Sequence, residues 1–297
     1  MHQPLVSVII PTYKRSEMLH RAIDSVLSQT YRHVQVVVVD DNNPDTQWRA
    51  ATMEKMNRYS EDSRVKYICQ ECNKGASVAR NTGMRSADGE IITFLDDDDW
   101  FLPEKVALQV EYLLNHPEYR AVYCGWDRNN RKIIPTLEGD LSFELLSGRN
   151  IIITNTIMMW REDAIACGGM DERLKRHEEA GFMLRYFANG SKIGVISKIL
   201  TEFDVSDRSN AAANSDIFEQ QQLEYLDLYK DRIEACELQR KGARKDIYSY
   251  RYRGALLAHL KGKNYKGALR IYRKMLTWMP VKFNADLIQY CIDRGRR

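Results

Sequence analysis

Between Phe94 and Trp100 the chain places four carboxylates in a row, Asp96, Asp97, Asp98 and Asp99, directly after the apolar run Ile91 to Leu95. Two like charges about 4 Å apart repel by about 4 kcal/mol at an effective dielectric of about 20, so such crowding calls for a cation. In an extended backbone alternate side chains share a face, which predicts Asp96 and Asp98 on one side and Asp97 and Asp99 on the other. An Asp-x-Asp pair of that kind is a hard-oxygen site suited to Mg²⁺ or Mn²⁺ shared with substrate phosphates. An acidic, solvated loop capping the helix after Pro103 is the competing reading of the same residues.

The elements that must position this run are legible upstream. Leu5 to Ile10 is a short apolar stretch broken by Pro11, as a buried strand would be. Ser16 precedes Met18, Leu19, Ala22, Ile23, Val26 and Leu27, a helical spacing with an N-cap candidate. Val34 to Val39 is a second, β-branched strand ending at Asp40 and Asp41. Strand, helix, strand at this spacing predicts a βαβ unit and a parallel sheet. A polar helix over 46–59, a strand over 65–68, a helix over 76–85 and the strand over 91–95 follow. Beyond Pro103, set where a first helical residue would be, come a helix, a hairpin around Asn129-Asn130, strands over 151–160 and 193–196, and an intervening helix starting near Glu178. From Ser215 onward the pattern is helical, with a hairpin turning at Lys261-Gly262-Lys263-Asn264.

In open α/β sheets ligands bind beyond the carboxyl ends of the strands. Those ends are Pro11-Thr12-Tyr13, Asp40-Asp41 and Asp96 to Asp99. No GxGxxG follows the first strand and no GxxxxGK[ST] occurs, which argues against dinucleotide and P-loop sites. At 297 residues and 44% hydrophobic the chain can bury a large core. Charge is unevenly spread: residues 228–297 hold 18 Lys/Arg against 6 Asp/Glu, whereas the first 227 hold 26 against 35. That shift predicts a domain of residues 1–212 followed by a basic helical region of residues 213–297. Met1-His2-Gln3-Pro4 leads straight into a strand, unlike a signal peptide, and no apolar run reaches the ~20 residues that span a bilayer. Six scattered cysteines, with a single Cys69-Gln-Glu-Cys72, read as reduced thiols. A cytoplasmic chain is expected, with peripheral contact at the inner face of the membrane through the basic tail. A plain helical subdomain or an oligomer contact fits the tail as well, and no recognised nucleic-acid module accompanies it.

Val6-Ser-Val-Ile-Ile-Pro-Thr-Tyr-Lys-Arg15, Ser25-Val-Leu-Ser-Gln-Thr-Tyr31, Val36-Val-Val-Val-Asp-Asp41, Asn73-Lys-Gly-Ala-Ser-Val-Ala-Arg-Asn-Thr-Gly83 and Gly89-Glu-Ile-Ile-Thr-Phe-Leu-Asp-Asp-Asp-Asp-Trp100, in this order, closely resemble family 2 glycosyltransferases. The resemblance is dense over residues 5–105 and thinner through Phe187. It implies a GT-A fold, Rossmann-like with a mainly parallel sheet flanked by helices, here carrying a C-terminal helical appendage. It implies transfer of a sugar, with inversion, from a nucleotide diphosphate donor that is usually UDP-linked to a hydroxyl acceptor in surface glycan or glycoconjugate assembly. Carried over, Pro11, Thr12, Tyr13 and Arg15 would border the donor, with Tyr13 stacking on the base. Asp40 would accept from the uracil ring N–H, since a carboxylate is acceptor-only. Asp98 would be the principal ligand of Mn²⁺ or Mg²⁺, with Asp96 as second ligand, and Asp96 or Asp97 would reach the ribose or the metal through water. Lys74 or Arg80 would add a cation near the donor; for Arg80, pairing on the helix surface fits equally.

An inverting transfer also needs a base for the acceptor hydroxyl. The resemblance puts it after Gly168-Gly-Met-Asp-Glu172, at Glu179 or, as second choice, Glu178. Glu179 stands where such enzymes usually carry Asp, one methylene shorter. That departure keeps open a catalytically silent GT-A domain that binds nucleotide or scaffolds an assembly. Two carboxylates opening a helix also suit its dipole without any catalysis.

Overall fold

The computed structural model describes residues 3–174, 177–204 and 214–295. The chain divides into two compact units, Met1–Leu141 with Ile152–Asp207, and Ser142–Ile151 with Arg208–Arg297. The expected boundary at 212/213 lies outside the described residues, and residues 142–151 group with the C-terminal unit.

The first unit is built on strands β1 (Val6–Thr12), β2 (Val34–Asp40), β3 (Val65–Cys69), β4 (Ile91–Phe94), β5 (Trp100–Phe101), β6 (Ala121–Arg128), β7 (Arg131–Ile133), β8 (Met158–Trp160) and β9 (Ile193–Phe203). They form one mixed sheet in the order β3-β2-β1-β4-β8-β6-β9-β5, with β7 paired to β6. β1, β2, β3 and β4 are parallel, and β8 turns the sheet antiparallel between β4 and β6. Its helices are α1 (Leu19–Leu27), α2 (Gln47–Met56), α3 (Ala76–Ser86) and α4 (Lys105–Asn115), and, beyond the helix α5 (Ser142–Leu146) of the other unit, α6 (Arg161–Ala166) and α7 (Glu178–Ala188). β1 and β2 are almost wholly buried, which is why both are continuous apolar runs. Val8, Ile10, Ile23, Val36, Val38, Ile91, Leu95 and Val106 share one core beneath α1 and α4.

Several elements differ from the sequence reading. α1 begins at Leu19 with Met18 as its cap residue, and the Ser16 carbonyl accepts from the Leu19 N–H. α4 begins two residues after Pro103, which lies in the preceding turn. The hairpin expected at Asn129-Asn130 is formed between β6 and β7, and both residues have positive φ (52° and 65°), the two-residue geometry that matches strand twist. The strand expected over 151–160 shortens to β8, because Thr154–Thr156 forms a 3₁₀ turn that directs the buried Asn155 toward the aspartates. β9 runs on past Ile196 to Phe203, with register shifts opposite Cys124, Gly125 and Trp126.

The second unit holds α5, α8 (Ser215–Leu228), α9 (Lys230–Gln239), α10 (Ala243–Lys261), α11 (Tyr265–Trp278) and α12 (Pro280–Gly295). Arg251, 3% exposed, ties it together by donating to the Leu146 carbonyl and Gln222 and lying over the Tyr225 ring. Glu219 accepts from both His259 and Arg270. Pro280, lacking an N–H, both ends α11 and opens α12. Among the described residues no helix is long and apolar enough to cross a membrane.

Candidate active site

Because β1 lies between β2 and β4, strand order reverses there, and the carboxyl ends of these three parallel strands lie at the same edge of the sheet. The aspartate run enters it as a turn rather than an extended strand: the Asp99 N–H donates to the Asp96 carbonyl at 3.2 Å. Exposure nevertheless alternates. The Asp96 and Asp98 side chains are 30% and 22% exposed, whereas Asp97 and Asp99 are buried. Asp97 accepts from Thr12 Oγ1 at 2.7 Å across the β1–β4 gap, and Arg15 reaches both Asp97 (3.1 Å) and Asp98 (2.5 Å). Arg21 donates to the Asp98 carbonyl and pairs with Asp204 at 2.8 Å. Asn155 organises the turn from below, accepting from the Asp96 N–H and donating to Asp99 at 2.5 Å. Nothing in the sequence pattern singled out Asn155; the polar triplet Thr154-Asn155-Thr156 inside an apolar run was the available signal.

Burial, then the neighbouring Asp96 and Asp98, pushes the Asp99 carboxyl up to about 9. Burial pushes Asp97 up to about 7 against the pull of Arg15, and raises Asp98 as well. Seven carboxylates (Asp96, Asp97, Asp98, Asp99, Glu178, Glu179 and Asp204) act on this neighbourhood against Arg15, Arg21, Arg80 and Arg128. That excess of hard oxygen ligands, with Asp98 and Asp96 partly exposed, fits a divalent cation.

The second half of the site hangs on α3. Arg80 is buried, and its Nη2 donates to Asp96 at 2.5 Å while its Nη1 lies 4.0 Å from Glu178. It is therefore an interior bridge, not a helix-surface pair. Its Nε and Nη1 have no hydrogen-bond partner among the described residues, which leaves two buried N–H donors of a cation available to an anionic ligand. The next residue, Asn81, clamps the glycine turn: it accepts from the Met170 N–H at 2.8 Å and donates to the Met170 carbonyl and Glu172. Gly169 (φ 65°) makes this possible, since a Cβ there would stand 2.6 Å from Asn81 Oδ1. α7 is tied to this turn by Arg185, which donates to the Gly168 carbonyl at 3.2 Å; at its start His177 adopts φ 60° and Glu178 and Glu179 open the helix. Burial first and the Glu178 carboxylate second push Glu179 up to about 7, with Arg80 opposing.

At the other edge, Tyr13 is 39% exposed and Lys14 lies over both the Tyr13 and Trp48 rings, at 4.9 and 4.4 Å. Trp48, masked in sequence by the polar helix around it, joins Tyr13 as an aromatic surface. Pro11, partly exposed, sits in β1 opposite Val39. Asp40 has no exposed surface: Oδ1 accepts from the Asn42 N–H and side chain, and Oδ2 accepts from Tyr67 while pairing with Arg49. A base N–H reaching Asp40 would have to exchange with one of these donors. Asp41 instead receives Gln70, Asn73 and the Lys74 and Gly75 N–H groups, anchoring the loop into α3. The Lys74 side chain is exposed and pairs with Glu71 at 3.9 Å, away from the aspartates' own partners.

A mixed sheet with its acidic turn at the switch point, flanked by helices, is the GT-A architecture. Residues 7–168 match the profile of "Glycosyl transferase family 2", and the chain belongs to that family. It is 28% identical to the amylovoran biosynthesis glycosyltransferase AmsB of Erwinia amylovora over 281 residues, covering 90% of this chain and 89% of that one. It is 38% identical to the UDP-Glc:alpha-D-GlcNAc-diphosphoundecaprenol beta-1,3-glucosyltransferase WfgD of Escherichia coli over 116 residues, 39% of this chain and 44% of that one. Its matches span 64%, 34% and 20% of the length of three other curated relatives, less than two thirds of each. In fold it is similar to S. aureus TarS 1-349 in complex with UDP-GlcNAc (TM-score 0.62, 17% identity, 91% and 92% of the two chains). It is likewise similar to the mannosyltransferase PcManGT of Pyrobaculum calidifontis in complex with GDP-Man and Mn²⁺ (TM-score 0.61, 18% identity, 98% and 80% covered).

Proposed function

We propose that the protein is an inverting, metal-dependent glycosyltransferase that moves a sugar from a nucleotide diphosphate donor, a UDP-sugar, to a hydroxyl acceptor in surface polysaccharide or glycoconjugate assembly. One observation carries the reading: the buried Arg80 guanidinium joins Asp96 of the acidic turn to the Glu178–Glu179 pair, so leaving-group and base ends share one cation. Relatives named for amylovoran biosynthesis and for a diphosphoundecaprenol-linked acceptor support the acceptor class.

Asp98 and Asp96, now paired with Arg15 and Arg80, would hold Mn²⁺ or Mg²⁺, which would supply positive charge to offset that developing on the departing diphosphate. Arg80 turns its free buried N–H groups toward the same phosphates. Tyr13, with Trp48 behind Lys14, stacks on the base, and Thr12, Pro11 and Arg15 line the approach to the acidic turn. Asp40 meets the base edge only if Tyr67 or Asn42 yields its place; otherwise it holds the pocket floor. Glu179 takes the acceptor hydroxyl's proton as that oxygen attacks the anomeric carbon from the face opposite the leaving group. Its raised proton affinity suits that task near neutral pH.

The test is nucleotide release from a panel of nucleotide sugars with Mn²⁺, with and without acceptor extracts. Wild type turns over at least one donor, and Glu179→Gln loses about 10²-fold or more in kcat, the usual weight of a general base, while still binding UDP. Full activity in the Gln variant sinks the base assignment. No turnover with any donor, while UDP still raises the melting temperature, identifies a silent nucleotide-binding domain instead.

A further inference from the structure

α11 has three longitudinal sectors. Ala268, Ile271, Met275 and Met279 are buried and hold the helix in its unit. A second sector, Tyr265, Leu269, Tyr272 and Leu276, repeats at i, i+4, i+7 and i+11, a continuous apolar stripe. Its first half is uncovered, with Tyr265 67% and Leu269 48% exposed, whereas Tyr272 and Leu276 are partly buried. The third sector, beside it, is Lys266, Arg270, Arg273 and Lys274, all exposed.

α12 repeats the apolar spacing without the cationic border: its Lys282 pairs with Asp246 and Asp286, so the cations of this face are those of α11. Val281, Ala285, Ile288 and Ile292 follow the same i, i+4, i+7, i+11 spacing, and Val281, Ile288 and Ile292 are 83%, 61% and 43% exposed. The Tyr272 hydroxyl donates to Asn284 Oδ1 at 3.0 Å, and Asn284 stands between Val281 and Ile288 on its helix, so the edges of the two stripes meet. Between Asp246 and Asp286 the sequence holds nine Lys/Arg and no Asp or Glu.

We infer that the α11–α12 face docks on an anionic lipid bilayer. Exposed apolar stripes bordered by cations are the composition of a helix that lies in the headgroup plane, its apolar face in the acyl boundary and its Lys and Arg among the phosphates. The same cationic field disfavours a second copy of this chain as occupant, since like faces would meet with like charge. Each Lys or Arg near a negatively charged leaflet strengthens binding about fivefold, so Lys266, Arg273 and Lys274 act together, whereas Arg270 is tied to Glu219. The inference is independent of the proposed sugar transfer, because it rests on the second unit alone.

The experiment is co-sedimentation of the full chain with vesicles of phosphatidylcholine containing phosphatidylglycerol, against vesicles of phosphatidylcholine alone, with no sugar donor present. Binding to the anionic vesicles is expected at least tenfold tighter and weakened by added salt. The triple exchange Lys266→Glu, Arg273→Glu, Lys274→Glu is expected to abolish it. A separate variant, Leu269→Ser, Val281→Ser, Ile288→Ser, is expected to lower it at least tenfold; all six positions are exposed, and circular dichroism verifies the fold of each variant. Equal binding to neutral and anionic vesicles, or variants that bind as wild type does, overturns the proposal. So does a concentration-dependent dimer that disappears with the serine variant, which would assign the face to a second copy.

Discussion

At the scale of single residues, Glu179 and Arg80 form the pair whose properties are most open to measurement. Burial raises Glu179 from its ordinary 4.5 to about 7. A base must be unprotonated, so kcat/KM is expected to climb with pH through about 7 and level off above it, and a flat profile from pH 5 to 8 would contradict the assignment. The stability sign is opposite: the folded state holds this proton over a range where the unfolded chain has lost it, so the ion-free protein loses stability as pH rises from about 4.5 to 7. Glu179→Gln therefore melts above wild type at pH 8 and close to it at pH 4. Arg80 opposes the raised affinity of Glu179. Arg80→Met is expected to move the activity limb upward and lower kcat by about 10²-fold, whereas a purely structural role would leave the limb in place. The residue types were legible in the sequence, including both carboxylates after the glycine turn. Whether Arg80 faced solvent or the interior was not, because helix phase alone does not say what stands opposite.

At the scale of elements, α7 is tied through Arg185 to the glycine turn seated against Asn81. Gly169→Ala would place a methyl 2.6 Å from Asn81 Oδ1 and hold a non-glycine residue at φ 65°. The expected cost is about 1–3 kcal/mol, seen as a drop of several degrees in melting temperature. Turnover should fall beyond what that drop explains, because Glu178 and Glu179 move with the turn. An Ala variant with wild-type turnover and stability would mean the clamp does not set the helix. The acidic turn shows the complementary case. Alternation of a strand anticipated which aspartates stay accessible, yet the backbone turns, and Thr12, Arg15 and Asn155 choose where each carboxylate points.

At the scale of the whole molecule, ligand and fold are linked. UDP with Mn²⁺ at about a hundred times its dissociation constant should add about 2.7 kcal/mol to stability, and chelation or Asp98→Ala should remove most of the shift. An equal UDP shift under chelation would mean that the aspartate turn holds no cation. By itself the sequence determined the βαβ order, the three strand ends that meet at the switch point, the acidic run and the basic, helical C-terminal region. Apolar runs, turn residues and charge spacing are local, and parallel strands with right-handed crossovers leave few ways to assemble them. Only the tertiary structure decided that Asp40 is saturated by Asn42, Tyr67 and Arg49, that Asn155 braces the turn, that residues 142–151 join the C-terminal unit, and that half of α11's apolar face stays uncovered. Each of these depends on partners far apart in the chain, and a hydrogen bond or a buried face is specified by both of its sides at once.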